Sequence, residues 1–462
     1  MKIIIIFFIK IYILFTPFFL YAKEFNIILI LSDDQSWAGL SVKMDPNNEL
    51  SKSLYDETPN LEKLAFDGTR FTNAYAPSPV CSPSRISIQT GKSPARLNWT
   101  KAELFLTKQD KQYLIPPSHS KNIKLSEITI GEMLKAANYK TAHFGKWHLL
   151  GGGPDNHGYD YSDGNIGNKY ASNYSDENPV DLYAMIKRAK SFINNSNQEG
   201  KPFYIQLSLH ALHYPENASK ETIYKYKSKY EKQLNRREIA RLAINENMDT
   251  AIGDLLEFLK INDYEKNTFI IFTSDNGAGS RHSILKGGKG GLWEGGIRIP
   301  FIIKGPGIPK NHINRTPIIG YDLFPTFMNI AGLKNNFNNL DGIDIFKTFE
   351  KDYVNSLRST RALFFHFPHY QSDQKPQSAI IQNNWKLIKY YDQQTNILIN
   401  LENDIFEKNN LIHKEPQKYQ DLLSNLNNYL VDVNASFPAI NPIYDPNEVL
   451  SKKDKKIKKY QN

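Results

Sequence analysis

Phe25-Asn-Ile-Ile-Leu-Ile-Leu31, followed at once by Ser32-Asp33-Asp34, is the stretch that constrains the fold most strongly. A short, nearly continuous apolar run is typical of a strand buried on both faces of a parallel sheet. Ligands collect beyond the carboxyl ends of such strands. The stretch therefore predicts an α/β fold with Asp33 and Asp34 at the ligand-binding edge of its sheet.

The same pattern recurs three times along the chain. Further apolar runs at 139–144, 203–209 and 268–273 end in polar groups, namely Lys146 with His148, His213, and Asp275 with Asn276. Helical spacing predicts helices at 59–66, 130–137, 180–193, 236–259 and 321–331. This alternation predicts a large, mostly parallel central sheet flanked by helices, in which the four polar clusters meet in one crevice.

The pattern changes after about residue 355. Short strands are predicted at 379–382, 385–391 and 398–401, and a helix at 416–430. Neighbouring strands without intervening helices favour a smaller antiparallel sheet packed with one helix. The predicted organisation is a signal peptide (1–22), an α/β catalytic domain (23–355), an antiparallel-sheet subdomain (356–450) and a basic, disordered tail (451–462).

The first 22 residues have the features of a secretory signal peptide. Lys2 is followed by an apolar run and a small residue, Ala22, while Lys10 interrupts the run. We expect an exported protein, periplasmic or secreted, with no stable membrane span after cleavage; an uncleaved anchor is the alternative.

Of the net charge of +9, the tail and the two signal lysines leave only +2 for the body, so charge gives no support to nucleic-acid binding.

Cys81 is the only cysteine and lies in Pro79-Val-Cys-Ser-Pro-Ser-Arg85. A single cysteine cannot form a disulfide within one chain. A polar, proline-punctuated turn is an unusual place for a cysteine kept only for packing, and Arg85 would share its face if a helix started at Pro83. We interpret Cys81 as the nucleophile; an inert apolar residue is the alternative.

The polar clusters suit a metal ion and an oxyanion. Asp33, Asp34, Asp275 and the amide of Asn276 form a hard oxygen set that favours Ca²⁺ or Mg²⁺ over zinc. The basic and donor groups that suit a tetrahedral oxyanion are Arg85, Lys146, His148, His213 and Lys289. Each motif alone also has an ordinary explanation, such as a helix cap at Asp33-Asp34, a turn at Asp275-Asn276 or a solvated Lys289. Together, and in this order, they favour a catalytic site.

On these motifs the chain closely resembles the sulfatase family of the alkaline phosphatase superfamily, and in particular its exported bacterial glycan sulfatases. Cys81-Ser-Pro-Ser-Arg85 with Thr90-Gly91 matches the cysteine-type modification motif. The second family motif matches 139–149, with Asn138 where the family usually has glycine, and the lysine loop matches 288–300. Asp322-Leu-Phe-Pro-Thr326 and Asp341-Gly342 match later landmarks.

The resemblance implies a complete site. Cys81 would be oxidised to Cα-formylglycine during export by a formylglycine-generating or anaerobic sulfatase-maturing enzyme. Asp33, Asp34, Asp275, Asn276 and the modified Cys81 would bind a divalent cation, Ca²⁺ in preference to Mg²⁺. One hydroxyl of the hydrated aldehyde would attack the sulfate sulfur, and the second would expel sulfate from the sulfated enzyme. Arg85 would hold the diol and His148 would be the base, while Lys146, Lys289 and His213 would neutralise the sulfate and assist the leaving oxygen.

The preferred substrate class is sulfated carbohydrate. Phe364-Phe-His-Phe-Pro-His-Tyr370 is similar to a segment of polysaccharide-active members, so His366 or His369 is expected to contact a sugar, as is Arg281 or His282. Local packing or solvent exposure is the alternative for these four residues. The other functions left open are an arylsulfatase, a phosphoester or phosphonate hydrolase of the superfamily, and a silent binder of sulfated glycans if Cys81 is unmodified.

Overall fold

The computed structural model of the chain describes residues 25–102, 112–334, 336–337, 339–351, 354, 360–392 and 395–444. The predicted signal peptide and basic tail lie outside these residues. Among the helices of the described ranges, none has both the length and the apolar character needed to cross a membrane.

The strands are β1 (Asn26–Ser32), β2 (Thr69–Phe71), β3 (Ala74–Tyr75), β4 (Leu114–Ile115), β5 (Lys140–Gly145), β6 (Tyr161–Ser162), β7 (Phe203–Ser208), β8 (Thr268–Ser274), β9 (Phe301–Lys304), β10 (His312–Asn314), β11 (Ile318–Ile319), β12 (Ala362–Phe367), β13 (Gln377–Gln382), β14 (Trp385–Tyr390), β15 (Ile397–Asn400) and β16 (Ala439–Ile440). The α-helices are α1 (Pro59–Phe66), α2 (Cys81–Thr90), α3 (Ile130–Ala136), α4 (Leu182–Gln198), α5 (Lys220–Tyr230), α6 (Arg236–Ile261), α7 (Glu294–Ile297), α8 (Leu323–Ile330) and α9 (Pro416–Asp432).

An eight-stranded sheet in the order β10-β2-β9-β8-β1-β7-β5-β6 forms the centre of the molecule. Only β9 runs antiparallel to its neighbours β2 and β8; the remaining pairs are parallel. In the centre, Ile28 of β1 lies opposite Ile205 of β7 and Ile270 of β8. The predicted fold class, a mostly parallel sheet flanked by helices, is confirmed.

Helices cover both faces of the sheet, which explains why β1 is apolar along its whole length. Ile28 and Ile30 pack in a core with residues of α1, α4 and α6. Ile27, Leu29 and Leu31 pack in a second core with residues of α2, α3 and α8. All five side chains are fully buried, and each such burial stabilises the fold by about 1.5–3 kcal/mol.

Helix starts follow local signals that the sequence contains. α1 begins with proline after Thr58, where the missing N–H costs nothing. Capping boxes that pair Thr129 with Glu132 and Asn235 with Glu238 start α3 and α6. The helix predicted at 321–331 is divided between a 3₁₀ turn, Gly320–Asp322, and α8.

The C-terminal part contains the predicted antiparallel sheet, β12-β13-β14-β15, with α9 packed against it. Its first strand, β12, was missed, because the stretch around Phe364 was interpreted as a sugar-contacting segment. In the structure Leu363, Phe365 and Phe367 of β12 are buried in one core, while Phe364 stacks on Tyr429 of α9 at 3.9 Å.

A buried group of charges, here called the bridging cluster, joins this sheet to the central domain. It consists of Glu294 of α7, Arg298, Lys386 of β14 and Glu407. Lys386 Nζ lies 2.9 Å from Glu294 Oε1 and 2.8 Å from Glu407 Oε1. Arg298 Nε donates to Glu294 Oε2 at 2.8 Å. Because its members come from both parts of the chain, the cluster fixes the position of the small sheet on the large one.

Candidate active site

Eight polar residues meet beyond the carboxyl ends of β1, β5 and β8, and we call them the strand-end cluster. They are Asp33, Asp34, Cys81, Arg85, Lys146, Asp275, Asn276 and Lys289. β1 ends directly before Asp33, β5 ends directly before Lys146, and β8 ends directly before Asp275. Cys81 and Arg85 come from the first turn and a half of α2, and Lys289 comes from the glycine-rich loop before α7. The predicted convergence of the strand-end motifs is therefore present in the structure.

The place of Cys81 differs from the expected turn. Cys81 is the first residue of α2, two positions before the proposed helix start at Pro83, and its side chain is only 1% exposed. The helix nevertheless places Arg85 one turn further on, on the same side. The helix ends at Gly91, whose φ of 70° is the left-handed conformation that suits glycine.

Positive φ angles occur at two residues of the site region. Asp34 and His148 both have a φ of 59°, a backbone conformation that non-glycine residues adopt at a cost of about 1–3 kcal/mol. Asn138, which stands where the related motif usually has glycine, has a φ of 66°. Asparagine tolerates this conformation better than most residues, so the departure from the motif leaves the turn intact.

The acidic groups are arranged as cation ligands would be. One atom each from Asp33, Asp34, Cys81 and Asp275 lies within 4.8 Å of all the others. The Oδ1 atom of Asn276 is buried and has no hydrogen-bond partner in the described part of the chain. Such an atom is costly to bury unless something binds it. The donor set of carboxylate and amide oxygens, with this free Oδ1, fits a hard divalent cation.

Three cationic side chains contact the same acids. Lys146 contacts Asp33 in a fully buried ion pair. Arg85 donates from Nε to Asp275 Oδ2 at 2.8 Å and from Nη1 to the Lys146 carbonyl at 2.6 Å. Lys289 Nζ lies 2.7 Å from Asp34 Oδ1 and 3.3 Å from Cys81 Sγ. Lys289 thus contacts the sulfur, and Arg85 and Lys146 are held nearby through Asp275 and Asp33, an arrangement that suits an oxyanion.

The electrostatic environment shifts the pKa values of the two buried aspartates, Asp33 and Asp275, in opposite directions. Burial acts to raise the pKa of Asp33, but Lys146, His213 and Arg85 lower it well below its usual range. Burial and the neighbouring charge of Asp33 raise the pKa of Asp275, against the effect of Arg85. Of these two, Asp33 is the more firmly held as a carboxylate, and Asp275 gains more from a bound cation.

The thiol of Cys81 is a poor nucleophile in this setting. Burial and the charge of Asp33 raise its pKa to about 12, and Lys146 and Lys289 offset this only in part. At neutral pH almost no thiolate is present, although thiolate is the reactive form of cysteine.

Two histidines of the prediction border the cluster. Burial and the charges of Lys146 and Arg85 lower the pKa of His148 well below its usual range, which keeps the ring neutral. Its Nδ1 atom is buried and makes no hydrogen bond to a described residue. The ring of His213 donates from Nδ1 to the Tyr214 carbonyl at 2.7 Å, and His213 groups with Asp33 and Cys81 within 4.8 Å.

Sequence reasoning missed His210, which follows β7. It is buried, and burial together with Lys146 lowers its pKa to about 3. The run His210-Ala-Leu-His213 was visible, but only its second histidine was assigned a role.

A cavity of about 310 Å³ opens beside the cluster. Asp34, His213 and Lys289 line it, and so does His282, whose contact with a sugar remains a prediction. Arg281 is exposed and is not among the lining residues. The lining also includes Arg237 and Arg241 of α6, which the sequence analysis did not select because nothing in their local pattern marks them.

His366 and His369, predicted as sugar contacts, are packing residues instead. His366 is buried in β12, where Nδ1 pairs with Ser378 Oγ at 2.6 Å and Nε2 with the Ser436 carbonyl at 3.0 Å. His369 is also buried and pairs through Nε2 with Thr100 Oγ1 at 2.8 Å. Both rings are covered by protein, so neither reaches a ligand in the cavity.

Comparison with known proteins agrees with this geometry. The family model described as Sulfatase matches residues 25–333, and the model described as N-sulphoglucosamine sulphohydrolase, C-terminal, matches residues 288–436. A sulfatase of Formosa agariphila is 28% identical over 88% of each chain. The N-acetylgalactosamine-6-sulfatase of Homo sapiens is 30% identical over 70% of this chain and 65% of its own. The crystal structure of Ps i-CgsB in complex with k-i-k-neocarrahexaose superimposes with a TM-score of 0.75 at 25% identity, covering 89% of this chain and 93% of that one.

Proposed function

Because the chain belongs to the sulfatase family and is a sulfuric ester hydrolase, we propose that it removes O-sulfate groups from a sulfated carbohydrate. The strand-end cluster carries this proposal, since it surrounds position 81 with cations next to an open cavity. The carbohydrate class is supported by the relatives, which include an N-acetylgalactosamine-6-sulfatase and a protein in complex with a neocarrahexaose.

We propose that the working nucleophile is Cα-formylglycine formed from Cys81. Its hydrated aldehyde would supply one hydroxyl for attack on sulfur and a second for release of sulfate. A thiol supports this less well, because it has no second hydroxyl for the release of sulfate and burial raises the pKa of this one to about 12. Cys81 Sγ, whose place those oxygens would take, lies 3.3 Å from Lys289 Nζ and 3.5 Å from Asp33 Oδ1.

We propose that Asp33, Asp34, Asp275 and Asn276, with position 81, hold a divalent cation, Ca²⁺ in preference to Mg²⁺. When bound, the cation supplies positive charge that stabilises an ionised hydroxyl and a sulfate oxygen. The free Oδ1 of Asn276 and the raised pKa of Asp275 support a cation at this place.

The remaining roles follow from position and charge. Arg85 reaches across Asp275 and would orient the diol. Lys146 and Lys289 would bind the sulfate oxygens and offset their charge. His148, kept neutral by its surroundings, can accept the proton of the second hydroxyl. His213 is oriented by the Tyr214 carbonyl and would assist the leaving oxygen.

The site also implies a route of biogenesis. We propose that the signal at 1–22 directs export to the periplasm or beyond, and that a formylglycine-generating or anaerobic sulfatase-maturing enzyme oxidises Cys81. The catalytic chemistry would reside in residues 23–355, with 356–450 as a supporting subdomain.

A substrate panel tests the proposed function. Purified exported protein is assayed with sulfated mono- and oligosaccharides, an aryl sulfate, a phosphate ester and a phosphonate ester. We expect the highest kcat/KM on a carbohydrate sulfate, and mass spectrometry of the tryptic peptide 71–85 should show an aldehyde at position 81.

The outcomes separate the alternatives. Turnover of aryl sulfate alone would refute the carbohydrate substrate, and preference for a phosphorus ester would refute the sulfate specificity. A free thiol at position 81 in fully active protein would refute the nucleophile. Binding of sulfated glycans without turnover of any ester would favour the silent binder.

A further inference from the structure

We propose that Arg241 recognises a second anionic group of the substrate, a sulfate or a carboxylate, next to the sulfate that is removed. The inference rests on the proposed function and sharpens it. It selects a multiply charged carbohydrate over a sugar whose only charge is the sulfate at the reacting centre.

The position of Arg241 is the first argument. It lies on α6, one turn after Arg237, and both residues line the cavity that Asp34, His213 and Lys289 border. A ligand whose sulfate lies at position 81 therefore extends into a space with Arg241 in its wall. The side chain is only 6% exposed, so its orientation is set by packing and not by solvent.

The second argument is that Arg241 has a spare donor. Its Nη2 atom is buried and makes no hydrogen bond to any described residue. A buried guanidinium without partners is costly, and a ligand oxyanion would satisfy it. The planar group can hold a sulfate or carboxylate through two parallel hydrogen bonds.

The other cations of the cavity are already paired. Lys289 Nζ lies 2.7 Å from Asp34 Oδ1. Arg237 lies 2.9 Å from Glu216 Oε1 and over the ring of Tyr214 at 4.8 Å. These two groups have acidic partners, whereas Arg241 is the cation of the lining that forms no ion pair with a described residue.

Nearby acids do not satisfy Arg241. Asp56 acts on it electrostatically, but the Asp56 carboxylate accepts from Asn245 Nδ2. Glu216 is held by Arg237. His282 adds a second free atom to the same wall, since its Nε2 is buried and has no partner among the described residues. A neutral imidazole there can donate to the same anion without adding charge.

Ligand binding to the full exported chain carrying Cys81→Ala, measured by calorimetry, tests the inference. The probes are N-acetylgalactosamine 6-sulfate, N-acetylgalactosamine 4,6-disulfate, and a disaccharide in which N-acetylgalactosamine 6-sulfate carries a uronate. We expect at least one of the two doubly charged probes to bind about tenfold tighter than the first, the size of one charge-assisted contact. Arg241→Gln should reduce this ratio to about 1, whereas Arg237→Gln should keep it.

The probes distinguish the two kinds of anion. A preference for the disulfate alone assigns the contact to sulfate, and a preference for the uronate alone assigns it to carboxylate. Arg241→Lys keeps the charge but loses the planar fork, so it should retain part of the preference. It also serves as a second variant of this position in case Arg241→Gln does not fold.

Two results would overturn the inference. One is equal binding of all three probes by the parent protein, and the other is an unchanged ratio in a folded Arg241→Gln variant. Either leaves the proposed function standing if the substrate panel shows turnover of a carbohydrate sulfate. Aryl sulfate turnover alone would instead remove both.

Discussion

The molecule contains two clusters of acidic and basic side chains, of which one borders an open cavity and the other is enclosed by protein. The strand-end cluster holds three aspartates against Arg85, Lys146 and Lys289, and the bridging cluster holds Glu294 and Glu407 against Arg298 and Lys386. In the first, Asp34 and Lys289 keep 14% and 22% of their side chains exposed and border a cavity. In the second, the ion pairs of Lys386 are fully buried on both sides.

The difference shows that burial and perturbed pKa values alone do not mark a catalytic site. Both clusters have them: Glu407 has a pKa raised to about 7 by burial, opposed by Lys386. The strand-end cluster differs in opening to solvent through the adjoining cavity. Access for substrate distinguishes it from the cluster that holds two sheets together.

The largest expected effect is a loss of activity from a substitution in the strand-end cluster. Cys81→Ala should lower kcat by at least about 10⁴-fold, because it removes the precursor of the nucleophile. The free energy of unfolding should change by about 1 kcal/mol or less, since only one small side chain is truncated. Ser87→Ala, a buried position of the same helix that is not one of the motif residues, serves as the control and should keep its turnover. Activity in Cys81→Ala close to that of the parent would show that position 81 is not the nucleophile.

The inactive Cys81→Ala variant also tests the cation site, through a change in melting temperature that does not depend on turnover. Ca²⁺ should raise the melting temperature of Cys81→Ala, and a chelator should reverse the change, because the carboxylates and Asn276 remain. A melting temperature that does not respond to Ca²⁺ or to Mg²⁺ would contradict the proposed cation site.

A smaller effect, on stability, should come from the bridging cluster. Lys386→Met leaves Glu294 and Glu407 without their shared partner and should cost about 3–5 kcal/mol of unfolding free energy. Lys389→Met is the matched control on the same strand, since Lys389 Nζ donates to the neutral Asn427 Oδ1 at 2.8 Å and forms no ion pair with a described residue. Urea denaturation measures both. If both variants lost the same stability, the bridging role of Lys386 would be wrong.

The smallest effect is a pH dependence at Glu407. Burial raises its pKa from 4.5 to about 7, so the folded protein holds a proton that the unfolded chain loses first. Stability from this group is present below about pH 4.5 and is lost as the pH rises through 7. Glutamine does not titrate, so Glu407→Gln should not lose this stability. The unfolding free energy of the variant should therefore rise relative to that of the parent by up to about 2 kcal/mol between pH 5 and pH 8. A difference that stays constant or falls over this range would contradict the assignment.

The sequence predicted the sheet and the strand-end cluster because both depend on local signals. Apolar runs bounded by polar residues located β1, β5, β7 and β8, and the rule for parallel strands then brought Asp33, Lys146 and Asp275 together. Motif resemblance added Lys289, which comes from a loop that no periodicity describes.

The features that were missed or misassigned depend on contacts between distant parts of the chain. β12 was missed although Leu363, Phe365 and Phe367 alternate, and its His366 is satisfied by Ser378 across the sheet. Arg241 faces the cavity only because α6 packs beside the loops after β7 and β8. No local pattern in the helix distinguishes it from a solvent-facing arginine.

The burial of Cys81 also sets an order of events in the life of the protein. In the folded chain the residue is 1% exposed, at the start of a helix enclosed by both the sheet and the lysine loop. A modifying enzyme could not reach the sulfur there without opening the domain. The proposed oxidation must therefore take place while the chain is still unfolded, in competition with folding itself. Chains that fold first would be trapped as stable, correctly shaped and inactive molecules, so the yield of active enzyme would depend on relative rates and not on stability.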